Sequence, residues 1–111
     1  MTGNFIEIPL SVTIEVENGV EVDAVFRCRY QYTEAEIHWL VNGSSSRQYR
    51  DVVEGFILDS NGTRVDTLTI PAIPEYNGTQ VICAPSLYGG SPPEVTPPAY
   101  LTIFIIKEGM L

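Results

Sequence analysis

At 111 residues the chain is long enough for one domain with a single hydrophobic core. Its hydrophobic fraction, 44%, is that of an ordinary globular chain, and fourteen acids against six bases give a net charge of −8. That charge repels phosphate backbones and disfavours nucleic acid as a partner, while no apolar run reaches the ~18 residues of a membrane-spanning helix, so direct membrane insertion by this segment is not expected.

No stretch sustains a helical spacing of apolar residues; short β-rich runs between turn residues dominate. Four of the five asparagines precede glycine, at Asn18-Gly19, Asn42-Gly43, Asn61-Gly62 and Asn77-Gly78. Asn-Gly readily takes the positive φ values of tight turns, so these pairs predict the boundaries of an antiparallel meander or Greek key. The first strand segment covers about Ile6–Glu17, broken by Pro9, which suits an edge or a switch between sheets. Val20–Tyr30 follows, with Val22, Ala24, Phe26, Cys28 and Tyr30 alternating with polar residues. Next come Ile37–Val41, a segment near Arg47–Val53, then Gly55–Leu58 and Arg64–Ile70, which Pro71 and Pro74 end. The last two strands are Thr79–Ala84 and Tyr100–Lys107.

Alternation assigns faces. Phe26, Cys28, Ile37, Trp39, Leu68, Ile70, Val81, Cys83, Leu101 and Ile103 are predicted to point inward, between two aligned sheets. His38, Leu40, Ile82, Thr102 and Phe104 are predicted to point outward. The two cysteines fit either one disulfide or two buried thiols. With His38 the sole histidine and no CxxC, a zinc site finds no support, and no cofactor is expected.

The order Cys28, Trp39, Cys83, with Leu68-Thr69-Ile70 and the corner from Asn77 to Cys83, resembles the immunoglobulin superfamily, in its intermediate type common in adhesion molecules and receptors. The resemblance implies an all-β Greek-key sandwich of two antiparallel sheets, a Cys28–Cys83 disulfide between them, and Trp39, Leu68 and Phe26 in the core. In the family's lettering the strands are A/A′, B, C, C′, D, E, F and G. Residues 8–107 are expected to form the domain, with 1–7 an artificial start or linker and 108–111 a tail. Three positions depart from the family. Val81 stands where a corner tyrosine is usual, with Tyr76 the candidate substitute; Asn77 replaces a frequent aspartate; and Pro98-Ala99 precedes strand G without a Gly-x-Gly bulge.

Such disulfides persist in oxidising compartments, so the resemblance implies an extracellular or cell-surface location, within a larger secreted or membrane-anchored protein. The partner implied is another protein, bound homophilically (a homodimer) or heterophilically. Two surfaces are candidates. One is the outward C–F–G face, where Leu40, Ile82 and Phe104 are apolar, with His38 beside them and Tyr49 joining from C′. The other is the end carrying the B–C loop, Gln31–Glu36, and the F–G loop from Pro85 to Pro98, which holds five of the eight prolines and presents Leu87 and Tyr88. That loop reads equally well as a purely structural connection. Asn42, Asn61 and Asn77 each begin an Asn-Gly-Ser/Thr triplet, hence glycan acceptors or plain turn chemistry. No nucleophile lies in a catalytic context and no phosphate-binding glycine loop precedes a helix, so an enzyme is not expected. The rival reading is an intracellular structural module of a filament-associated protein, with both thiols reduced.

Overall fold

The computed structural model describes residues 3–17, 19–87 and 94–106. Among them nine strands run in order: β1 (Phe5–Glu7), β2 (Val12–Glu17), β3 (Asp23–Tyr30), β4 (Glu36–Val41), β5 (Ser44–Ser45), β6 (Val53–Leu58), β7 (Arg64–Pro71), β8 (Gln80–Ser86) and β9 (Ala99–Ile106). They form a four-stranded sheet, β1-β3-β7-β6, packed on a five-stranded sheet, β2-β9-β8-β4-β5. The ten residues predicted to face inward all do so: nine are buried, and Ile37 packs against them half-buried at one end. Cys28 and Cys83 join the sheets as a disulfide, and Trp39 stands directly across from Cys83 in the β4–β8 ladder.

The chain changes sheet at Pro9, which is buried between β1 and β2. Proline cannot donate to a ladder, so the break falls where pairing passes from β3 to β9. β2 and β9 then run parallel, which makes the second sheet mixed rather than purely antiparallel. Residues 5–7, expected to precede the domain, form β1 and belong to the sandwich.

Several boundaries differ from expectation. β3 begins at Asp23, because Val20 N–H closes a turn onto Glu17 O and Val20 and Val22 lie exposed. The expected C′ strand near Arg47–Val53 is replaced by the two-residue β5 and a 3-10 turn at Ser46–Gln48. Asn42 and Gly43 both have positive φ, 52° and 84°, giving the tight hairpin that Asn-Gly predicts. Ser45 Oγ then accepts from Arg47 N–H, and the buried Ser46 hydroxyl donates to Glu54, so side chains draw the backbone out of the ladder. β8 runs on through Pro85, the residue expected to open the F–G loop. Pro85 sits opposite Ile37, and β9 pairs with β8 only at Gln80 and Val81, so the missing N–H leaves no ladder partner wanting on that side.

The unusual corner residues have substitutes. Gly78 N–H donates to Leu101 O at 2.7 Å, Asn77 Oδ1 accepts from Ile103 N–H at 2.8 Å, and Thr79 Oγ1 donates to Tyr76 O at 2.6 Å. Asn77 and Gly78 thus fasten the corner to β9, and Thr79 ties the corner to itself, with Tyr76 buried beneath. In place of a glycine bulge, buried Thr96 holds both backbone polar groups of one β8 residue, Cys83. Its hydroxyl accepts from Cys83 N–H at 2.9 Å, and its own N–H donates to Cys83 O at 3.1 Å.

Candidate protein-binding faces

The outer face of β4, β8 and β9 carries most of the predicted contact residues. Leu40 and Ile82 are direct cross-strand partners, with the His38–Ala84 pair beside them. All three predicted residues of this group, His38, Leu40 and Ile82, are half-buried. Phe104 is 56% exposed but lies lower on the face, next to Glu15 of β2. From the Gln80–Tyr100 pair, Ile82 is two residues one way and Phe104 four the other, about 20 Å apart along the strands at ~3.3 Å per residue.

Tyr100, 46% exposed and hydrogen-bonded through its hydroxyl to Gln80 Nε2 at 3.3 Å, fills the gap. Alternation already marks it, two residues before outward-facing Thr102. Tyr49 does not join this face. Its ring packs against the core near Tyr76, with centroids 6.4 Å apart, and its hydroxyl donates to Val41 O at 3.1 Å. With C′ reduced to β5, the segment carrying Tyr49 turns in under the sandwich edge. The charged rim of the face is acidic: Glu15 beside Phe104, Glu17 beside Ile106, and Glu36 at the far end, 3.9 Å from His38 Nε2.

At the loop end, Leu87 is half-buried just after β8, and Tyr88 lies outside the described residues. The B–C loop is anchored at its start through Asn4. Gln31 N–H donates to Asn4 O at 2.9 Å, and Asn4 N–H in turn donates to Glu94 at 3.1 Å. Burial, then hydrogen bonding to the Glu94 carboxylate, raise the Tyr30 phenol above its ordinary pKa.

The three glycan triplets sit on turns but differ in what the asparagine does. Asn42 Oδ1 accepts from Gln80 N–H at 2.9 Å, and Asn77 Oδ1 accepts from Ile103 N–H. Asn61 stands exposed on the β6–β7 turn, where its backbone N–H donates to Asp59 Oδ1. Asp59 organises that turn. Its carboxyl is held below the ordinary range first by Thr63 N–H, then by Asn61 N–H and by the Arg29 guanidinium at 3.2 Å. A carboxyl with a lowered folded pKa stabilises the fold above its unfolded value, about pH 4, and that contribution is lost as pH falls through the folded value. The stability gap between wild type and Asp59→Ala, read by urea unfolding, is therefore expected to be full at neutral pH and to shrink well below pH ~4.

No family model and no curated protein matches the sequence. Solved structures do match. A single titin domain aligns at 19% identity over 91% of this chain and 95% of that one, with a TM-score of 0.59. A titin tandem aligns at 12% identity over 92% of this chain and 33% of its own, TM-score 0.63. The N-terminal eight Ig domains of Down syndrome cell adhesion molecule align at 18% identity, over 89% of this chain and 12% of theirs, TM-score 0.61. The chain thus spans a third or less of these two longer relatives. At such identities the likeness is one of fold, and with its two packed sheets, inter-sheet disulfide and buried tryptophan the chain is a domain with the immunoglobulin-like fold.

Proposed function

We propose that the domain is an extracellular protein-recognition module of a cell-surface receptor or adhesion protein, and that it binds another protein through the outer face of β4, β8 and β9. The observation that carries this is the stripe of Leu40, Ile82, Tyr100 and Phe104 on a sheet face that water would otherwise keep polar. The Cys28–Cys83 bond supports the compartment, since such bonds persist where the surroundings are oxidising. The acidic rim favours a heterophilic partner with basic residues around an apolar centre, because a two-fold pair would bring Glu15, Glu17 and Glu36 against like charge. Asn61 is the glycan acceptor of this reading, its turn lying away from that face.

Leu40→Glu with Ile82→Glu is expected to weaken partner capture at least about tenfold while the domain still melts cooperatively, as for loss of a central interface anchor. Unchanged binding in a surface-capture assay, together with unchanged sedimentation, would remove the proposal. The second reading, an intracellular structural module, draws on the fold likeness to titin domains. Mass measurement before and after reduction of protein isolated from its native cells separates the two: only an oxidised pair gains mass.

A further inference from the structure

The sandwich is polar where its interior ought to be apolar. Cross-strand register places Asp66 and Phe56 in one row with Cys28, and Glu54 in the next row with Leu68 and Phe26. Arg64 shares their side of β7. These side chains face the opposite sheet, yet that sheet stops short of them, because β5 is two residues long. The result is a cleft of about 470 Å³ between β4 and the β6–β7 hairpin, with Trp39 in its wall and Tyr32 of the B–C loop at its mouth.

Two carboxylates, Asp66 and Glu54, and two guanidinium groups, Arg64 and Arg47, line the cleft, and Glu36, at the rim of the outer face, brings a third carboxylate to its edge. Among the described residues Asp66 is matched only by Arg64 on its own strand, at 3.1 Å, and that guanidinium is also drawn over the Phe56 ring, 4.2 Å from its centroid. Arg47 reaches Glu54 and Glu36 only at 3.6 and 3.8 Å, with 66% of its side chain exposed, so both contacts are weak. Burial raises the Asp66 carboxyl above its ordinary pKa against the pull of Arg64, which leaves a carboxylate that a further cation would stabilise. Aromatic walls add the cation–π surface that a planar cation stacks on.

We propose that this cleft is a second binding site and that it takes an arginine side chain from a basic segment of a partner protein, its guanidinium paired with Asp66 and Glu54 and stacked against Phe56 or Tyr32. The net charge of −8 draws such a segment in. The site lies between the sheets, shares only Glu36 at its edge with the outer face of β4, β8 and β9, and stands or falls separately from that face.

Short blocked peptides with one central arginine, lysine or glutamate, titrated into labelled protein and followed by amide chemical shifts, test this. The arginine peptide is expected to give saturable shifts centred on Glu54–Phe56, Asp66 and Tyr32. Asp66→Asn and Phe56→Ala should each weaken it at least about tenfold, the size of a lost charged hydrogen bond or stacking contact. Both variants are checked for native near-UV dichroism, and the Leu40→Glu, Ile82→Glu variant should bind the peptide as wild type does. Absence of saturation below about 10 mM would overturn the proposal. So would equal binding of the glutamate or lysine peptide, or full binding by well-folded Asp66→Asn.

Discussion

Replacing Cys28 and Cys83 together by alanine is expected to destabilise the domain by roughly 4 kcal/mol. The bond closes a loop of 55 residues, and the chain-entropy account ties its contribution to the denatured-state freedom that such a loop removes. Both sulfurs are wholly buried, so the substitution also leaves small cavities, partly refilled by movement of Trp39. Against a total of about 5–15 kcal/mol for a domain of this kind, that loss takes much of the margin. In thermal unfolding it should appear as a fall in Tm on the order of 15 °C. Wild type unfolded with a strong reductant should move toward the variant. A double variant within about 1 kcal/mol of wild type would show that the denatured chain is already compact without the tie.

Trp39→Ala carries the second large effect, about 3–5 kcal/mol by the usual range for deleting a buried aromatic ring. Among the described residues Trp39 is the largest fully buried side chain, packed in one cluster with Phe26, Leu68 and the disulfide. One flank of its indole lines the cleft, so water can enter the space vacated and the cost should fall toward the lower end of that range. Trp39→Phe keeps the ring and should cost distinctly less. Since Trp39 and Cys83 are cross-strand neighbours, the triple variant should lose less than the two changes summed. Urea unfolding of the four proteins measures this coupling directly. Strict additivity would mean that indole and disulfide do not share one packing unit.

The unequal legibility of the elements follows from what each depends on. The core was readable because period-two alternation around Phe26, Cys28, Trp39 and Leu101 is a local property of each strand. The Asn42-Gly43 hairpin was readable because positive φ at both positions is a demand on residue type. Tyr49 escapes alternation because its direction depends on whether Ser45 and Ser46 stay in the ladder, and their side chains decide otherwise. Phe104 was grouped with Leu40 and Ile82 because all three alternate outward. Alternation gives a face without giving the height on it, and only the Gln80–Tyr100 register does that.

Where most strands fall along the chain and the side each one buries were written in residue types and their spacing, since those act over a few neighbours, whereas the Cys28–Cys83 bond was implied only by the family resemblance. Where the second sheet ends was decided only when the strands paired. β5 stops after two residues, so Tyr49 turns inward and Asp66 and Glu54 line an open cleft rather than packing beneath a further strand. Register arises from contacts between segments far apart in sequence, so no local pattern carries it.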